Sequence, residues 1–116
     1  MYDTVIEYSS ANATCVVKIG SAIDVASAPA FARYLEEAAA LCERLIVSLE
    51  ACPYIDSTGL APLARLANRP SNSFAVVIPP GGYVQRIFQL SGLAFRLQVF
   101  ATLDEALAAR SANISV

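Results

Sequence analysis

The sequence contains no histidine and no tryptophan, and only 16% of its 116 residues are charged. Without an imidazole, the chain cannot form a Ser-His-Asp or Cys-His nucleophilic site, a histidine-ligated zinc site or a histidine general base. Any general base would have to be a carboxylate or a lysine. We therefore expect no catalytic residue, no metal site, no cofactor and no enzymatic activity.

Basic charge is also scarce, and long apolar runs are missing. Ten acidic and eight basic residues give a net charge of −2, and no basic run could follow a phosphate backbone, so nucleic-acid binding is not expected. No stretch of about 18 apolar residues could cross a membrane, and the N-terminus MYDTVIEYSS lacks a signal-peptide layout. These features predict a cytoplasmic protein without direct membrane insertion, of a length that suits a single domain.

The three cysteines, Cys15, Cys42 and Cys52, are odd in number and share no C-x-x-C spacing. This arrangement predicts three reduced thiols that act as small hydrophobic residues, rather than a metal site or a redox site.

The order of apolar and turn-forming segments predicts an α/β fold. We expect strands at 4–8, 13–19, 44–49, 74–78 and 97–100. We expect helices at 27–41, from Asp56 to about 67, at 84–91 and at 102–110. The first two strands are separated by the turn-prone segment 9–12, and 44–49 reads as a central parallel strand. The result is a mixed sheet of about five strands that opens with a hairpin and carries about four α-helices.

The helices also show which side chains should be buried. Ser27 is a suitable N-cap for the first helix, with Pro29 in its first turn, and Thr102 and Glu105 form a capping box for the last. The residues predicted to face inward from these two helices are Phe31, Leu35, Ala38, Leu41, Leu103, Ala106 and Leu107.

Asp56-Ser57-Thr58-Gly59, which follows a strand and a loop and starts a helix, is the most informative tetrapeptide. In one interpretation it is an ordinary helix cap, in which Asp56 or Ser57 accepts the free N–H groups of the first turn and Gly59 allows a close approach. In the other, Ser57 is a modification site, where a phosphate would lie near the positive end of the helix dipole. A nucleophilic role for Ser57 is the least favoured interpretation, because the flanking residues do not form G-x-S-x-G and there is no histidine to activate it.

Asp24 lies between the second strand and the first helix, and it can be either a capping carboxylate or part of a site. The loops of Asp24 and Asp56 both follow strands and precede helices, so a mostly parallel sheet would place them at one edge. This placement allows a shared interaction surface.

Four ordered segments resemble the STAS domain family, and in particular the bacterial anti-sigma factor antagonists, also called anti-anti-sigma factors. Ile55-Asp-Ser-Thr-Gly-Leu60 is similar to the family's D-S-S/T-G-L motif, and the segment 20–31 resembles its G-E-I/L-D-x-A-x-A-P-x-L/F pattern. Leu90-Ser-Gly-Leu93 and Leu103-Asp-Glu-Ala-Leu107 resemble two further motifs. The resemblance runs from about residue 2 to 109 and implies one STAS domain at 1–110, followed by a C-terminal tail at 111–116.

The resemblance implies that Ser57 is the phosphorylation site and that Asp24, Asp56, Ser57, Thr58 and Gly59 form the partner-binding surface. The implied partners are an anti-sigma factor with serine kinase activity and a phosphatase that removes the phosphate; the unphosphorylated protein would bind the anti-sigma factor and release a sigma factor. This sequence departs from the family at 20–24, which has one extra residue and no glutamate, at Cys52-Pro53, and at Pro62, which removes a backbone donor from the second helix.

Two other functions remain open at this level. One is a constitutive STAS subunit of a larger assembly, such as an ABC lipid transporter or a stress-signalling scaffold, and the other is a small-ligand or nucleotide sensor.

The charge distribution favours a switch. Residues 1–56 carry eight acids and three bases, for a charge of −5, while 57–116 carry two acids and five bases, for +3. A phosphate on Ser57 would therefore roughly double the net charge of the domain.

Overall fold

In the part of the chain that the structure describes, five short strands, mostly built from β-branched and apolar residues, pair in one mixed sheet. The computed structural model describes residues 6–11, 13–69 and 73–114. Its strands, in spatial order, are β1 (Ile6–Ala11), β2 (Thr14–Ile19), β3 (Arg44–Ser48), β4 (Phe74–Val77) and β5 (Gln98–Phe100). β1 and β2 are antiparallel, and each later strand is parallel to the one before it. The predicted α/β fold with an opening hairpin is confirmed, and β3 is the central strand.

Within the described ranges, four α-helices connect and cover this sheet, as predicted. They are α1 (Ala28–Leu41), α2 (Ser57–Leu66), α3 (Tyr83–Ser91) and α4 (Leu103–Ile114), with a 3₁₀ turn, η1 (Leu93–Phe95), after α3. Successive right-handed crossovers between neighbouring parallel strands place α1, α2 and α3 on the same face. α4 follows the last strand and packs against β4 and β5 from the opposite face.

Alternation along each strand divides the core into two parts. On one face, side chains such as Val17, Val47 and Val76 pack with Phe31 and Phe88 from the covering helices, and all five are at most 1% exposed. The opposite face carries a smaller cluster beneath α4. Because β3 is covered on both faces, all five of its residues are buried, which explains its nearly continuous apolar sequence.

The opening hairpin is tighter than predicted. β1 continues through Ala11, which pairs with Thr14, so Ser9 and Ser10 belong to the strand and not to the turn. Ala13 has a φ of +65°, a left-handed conformation that allows a short connection between antiparallel strands. The predicted strand residues Thr4 and Val5 and the predicted turn residue Asn12 lie outside the described residues.

Two leucines that were predicted to face inward are exposed. Leu41 is 77% exposed because it lies beside the buried stripe of α1, which continues through Ala39 to Cys42, and Leu107 is 42% exposed on α4. The other predicted inward positions of α1, Phe31, Leu35 and Ala38, are buried. α4 continues to Ile114, so the first four residues of the predicted tail at 111–116 are helical, and the other two lie outside the described part of the chain.

The prediction of three reduced thiols is wrong for two of the cysteines. Cys15 of β2 and Cys42, which directly follows α1, form a disulfide with a Cα–Cα distance of 5.8 Å, a common separation for such a bond. The crossover that returns from α1 to β3 brings the end of α1 beside the start of β2, so the pair is 27 residues apart in sequence. No local spacing pattern could reveal it. Cys52 is a free, buried thiol, as predicted.

Candidate functional site

The loops that contain Asp24 and Asp56 meet at the carboxyl edge of the sheet, where the parallel strands end. Ile23 and Ile55 form an isolated parallel bridge. The N–H of Ile23 donates to the carbonyl of Tyr54 at 2.8 Å, and the N–H of Asp56 donates to the carbonyl of Ile23 at 3.2 Å. These main-chain hydrogen bonds hold Asp24 and Asp56 at neighbouring positions. The sequence had predicted only that both aspartates lie at the same edge of the sheet.

Asp56 is the N-cap of α2. Its backbone is extended, and its Oδ1 accepts a hydrogen bond from the N–H of Thr58 at 2.9 Å and another from the Thr58 hydroxyl. The N–H groups of Gly59 and Leu60 donate to the carbonyl of Asp56. Asp56, and not Ser57, is therefore the residue that caps α2. Its carboxylate accepts from a free N–H group of the first turn, and its negative charge is stabilised by the positive end of the helix dipole.

Ser57 is the first residue of α2, and its side chain is exposed. The Asp56 carboxylate binds Thr58 rather than Ser57, so the cap does not depend on the serine hydroxyl. Thr58 is also exposed, whereas Gly59 is buried. The Ser57 side chain is thus exposed to solvent, while packing beneath the first turn of α2 holds the start of the helix in place.

Gly59 provides that support. A Cβ atom at this position would lie 2.6 Å from Cγ2 of Ile23 and 2.7 Å from Cγ1 of Ile55. Both isoleucines are fully buried. The glycine therefore allows α2 to approach the bridge between the two loops closely, which a larger residue would prevent.

Asp24 stabilises its own turn. Its Oδ1 accepts from the N–H of Ala26 at 3.1 Å and from that of Ser27 at 3.3 Å. Ser27 occupies the predicted N-cap position of α1 but makes no side-chain cap. Its hydroxyl instead accepts from the N–H of Asp24 and donates to the carbonyl of Ala22. The turn leaves Val25, next to Asp24, 72% exposed.

An aromatic pair that the sequence analysis missed borders the site. The rings of Tyr54 and Tyr83 are stacked, with centroids 5.3 Å apart and planes 15° apart, and the side chains are 39% and 48% exposed. Desolvation, followed by the nearby Tyr83, Asp56 and Asp24, raises the pKa of Tyr54, so its hydroxyl is neutral at physiological pH. The only sequence signal was the position of each tyrosine, in a loop after a strand and at the start of a helix.

Cys52 lies beneath this surface. Its thiol donates to the carbonyl of Tyr54 at 3.2 Å. Burial raises the pKa of the Cys52 thiol, although its hydrogen bonds with the backbone of Tyr54 and Ile23 act in the opposite direction. A buried thiol with a raised pKa carries little thiolate and is a poor nucleophile, so it supports the loop by packing.

The described residues bring together an exposed serine, two carboxylates and exposed apolar side chains, an arrangement suited to contact with another protein. In the described ranges, no three His, Cys, Asp or Glu side chains are grouped as metal ligands. No helix within the same ranges is long and apolar enough to cross a membrane.

Comparison with known proteins finds the family model "STAS domain" matched over residues 5–106. No curated protein sequence matches the chain. Its structure is similar to an anti-sigma factor antagonist from Mycobacterium paratuberculosis, with 26% identity, a TM-score of 0.84 and coverage of 94% of this chain and 95% of that one. A Thermotoga maritima protein proposed to be an anti-sigma factor antagonist has 19% identity, a TM-score of 0.80 and coverages of 91% and 94%. SpoIIAA, an anti-sigma factor antagonist in its unphosphorylated form, has 20% identity and a TM-score of 0.67, with coverage of 89% of this chain and 93% of that one.

Proposed function

Because the chain belongs to the STAS domain family, we propose that it is an anti-sigma factor antagonist that binds an anti-sigma factor through the carboxyl edge of its sheet. The observation that carries this proposal is the exposed Ser57 at the first position of α2, held between Asp56 and the tightly packed Gly59. The similarity to the mycobacterial antagonist over nearly the full length of both chains supports it. The protein acts by association and needs no catalytic group of its own.

In this proposal, phosphorylation of Ser57 controls the association. The unmodified hydroxyl is small and uncharged, so a partner surface can pack closely over the start of α2. A phosphate adds about −1.5 to −2 charge and three acceptor oxygens beside the Asp56 carboxylate. That charge repels an acidic partner surface and must be desolvated before any surface can cover it, so the phosphorylated form is released.

The residues around Ser57 are consistent with a protein partner. Val25, Tyr54 and Tyr83 are exposed around Asp24 and Asp56 and supply apolar and aromatic contact area. Next to Tyr83, a shallow cavity of about 190 Å³ has three prolines of two loops, Pro53, Pro79 and Pro80, among its lining residues. It is smaller than the roughly 300–1,000 Å³ of typical small-molecule sites, which favours an interaction surface over a ligand sensor.

The partner we propose is an anti-sigma factor with serine kinase activity, and a separate phosphatase reverses the modification.

The proposal is tested by incubating the protein with candidate anti-sigma kinases from the same organism and ATP, and mapping the phosphate by mass spectrometry. We expect one phosphate, on Ser57, and a stable complex only with the unmodified protein. Ser57→Ala should abolish incorporation and retain binding, while Ser57→Asp should weaken binding.

The matched control is Thr58→Ala, which removes the neighbouring hydroxyl and should leave incorporation at Ser57 intact. Phosphate on another residue, or equal binding by the Ser57→Asp variant, would overturn the switch. A constitutive subunit of a larger assembly would show the second result, because it needs a binding face and no modifiable serine.

A further inference from the structure

A second surface lies at the amino edge of the sheet, opposite the carboxyl edge that carries Ser57. α1 and α2 end there, and β3, β4 and β5 begin there. We call it the amino-edge surface and define it by Glu37, Leu41, Glu43, Arg69, Phe95 and Arg96. Leu41 is 77% exposed and Phe95 is 89% exposed. Singly exposed apolar side chains are common on protein surfaces, and these two are of interest because a cavity and charges of opposite sign lie beside them.

The two halves of this surface are neighbours. Arg69, just after α2, donates through Nη2 to the carbonyl of Ala39 in the last turn of α1 at 3.5 Å. Asn68 accepts a hydrogen bond from Nη2 of Arg96 at 3.3 Å. The end of α2 therefore connects the α1 side, which contains Leu41, with the η1 side, which contains Phe95.

An open cavity of about 210 Å³ lies on the η1 side. It is lined by Leu66, Phe74, Phe95 and Leu97, with Arg69 and Arg96 among the polar residues at its walls. Within the described residues, Nε of Arg69 is buried and has no hydrogen-bond acceptor. The cavity is smaller than a typical metabolite site, but it can take one aliphatic side chain, with a carboxylate beside the arginines.

The charges of the two halves have opposite signs. The α1 side presents Glu37 and Glu43, which are both exposed. The η1 side lies in a segment, 57–103, that contains four arginines and no aspartate or glutamate. The surface thus carries an exposed leucine with carboxylates beside it, and a leucine-sized cavity with guanidinium groups beside it.

We infer that this surface pairs with the same surface of a second copy of the chain. A two-fold axis between the halves places the α1 side of each copy against the η1 side of the other, so that Leu41 enters the partner's cavity and the acids face the arginines. Both contacts form at once, as a closed two-fold dimer requires. The chain itself thus supplies the complement in charge and in shape.

This dimer leaves the proposed function undisturbed, because Ser57 lies at the other end of the parallel strands. Each copy can then bind its own anti-sigma factor.

An anionic membrane is a poorer match for the amino-edge surface, since the exposed glutamates would be repelled and polybasic sites usually contain about four to eight clustered cations.

Charge-reversal variants test the dimer by sedimentation equilibrium of the full chain. We expect the wild-type protein to dimerise with a dissociation constant below about 1 mM, more weakly at high salt. Arg96→Glu alone, and Glu37→Arg with Glu43→Arg, should each weaken self-association by about tenfold or more, because like charges then meet twice per dimer. Mixing these two variants should restore a one-to-one dimer, in which both contacts join opposite charges.

Arg86→Glu is the matched control for Arg96→Glu, because this exposed arginine on α3 lies outside the defined surface and both substitutions change the net charge by the same amount. It should dimerise like the wild type. Circular dichroism of every variant checks the fold. A wild-type protein that stays monomeric at about 1 mM, or a mixture that shows no restored dimer, would overturn the inference. Neither result would affect the Ser57 proposal, which is measured by phosphate incorporation and anti-sigma binding.

Discussion

The two edges of the sheet are stabilised in different ways and present different surfaces. At the carboxyl edge, main-chain hydrogen bonds between the Ile23 and Ile55 segments and the packing of Gly59 fix the position of a small polar side chain, Ser57. At the amino edge, the Cys15–Cys42 disulfide anchors the end of α1, and large side chains such as Phe95 project outward.

This difference matches the two proposed roles. A switch that responds to one phosphate needs a fixed backbone beneath the modified residue, so that the added charge changes binding and not the fold. A surface that associates through apolar side chains needs their exposed area instead. The supports of the two edges should therefore differ in how much each contributes to the free energy of unfolding.

Removing the covalent link at the amino edge should have the largest effect on stability. Reduction of Cys15–Cys42, or Cys42→Ser, should lower the free energy of unfolding by about 3–4 kcal/mol, because the bond closes a long loop in the unfolded chain. Urea denaturation with and without reductant measures this change. Cys52→Ser is the control: it keeps the Cys15–Cys42 bond, so reductant should lower its free energy of unfolding by the same amount as in the wild type. An equal stability of oxidised and reduced protein would contradict the link.

Disturbing the close approach at the carboxyl edge should come next. Gly59→Val would place side-chain atoms against Ile23 and Ile55, which are buried, so we expect a loss of about 2–3 kcal/mol in the free energy of unfolding. Gly82→Val, where the added Cβ has no neighbour within 4 Å, should cost less than about 1 kcal/mol. If the two valine variants have equal denaturation midpoints, the packing role of Gly59 is wrong.

The cap of α2 should contribute less. Asp56→Ala removes the acceptor for the N–H and hydroxyl of Thr58 and should cost about 1 kcal/mol. Asp56→Asn keeps an acceptor oxygen, so its thermal unfolding should remain closer to that of the wild type. A larger loss for asparagine than for alanine would show that the carboxylate acts in some other way.

The smallest effect on stability should come from the exposed side chain of the amino edge. Phe95→Ser is expected to change the free energy of unfolding by no more than about 0.5 kcal/mol, since Phe95 is 89% exposed. The same variant should weaken self-association in sedimentation experiments. A large loss of stability would mean that Phe95 packs within its own chain and is not available for a partner.

Local patterns predicted most of the fold because each strand and helix carries its own periodicity and end signals. The Thr102 capping box illustrates this: the Thr102 hydroxyl accepts from the N–H of Glu105, and the Glu105 carboxylate accepts from the N–H of Ala101. Gly92 ends α3 in a left-handed conformation, with a φ of +81°, as a C-terminal glycine predicts.

Features that depend on three-dimensional proximity could not be predicted in this way. The Cys15–Cys42 bond joins a strand to the end of the next helix, and the Tyr54–Tyr83 stack joins the loop after β3 to the start of α3, which the sheet order places side by side. Leu41 satisfied the helical period but lies to one side of the buried stripe, which continues through Ala39 to Cys42. Periodicity identifies a helix face, and only the packed structure determines how wide the covered part of that face is.

The most direct test of the central claim compares the affinity of the two forms of the protein for its anti-sigma factor by isothermal titration. The protein is phosphorylated on Ser57 by the kinase, verified by mass spectrometry, and titrated beside the unmodified protein. We predict that the phosphate weakens binding by on the order of a hundredfold, because a like charge at a closely packed interface costs several kcal/mol, and that phosphatase treatment restores the affinity. Equal affinities of the two forms would contradict the account.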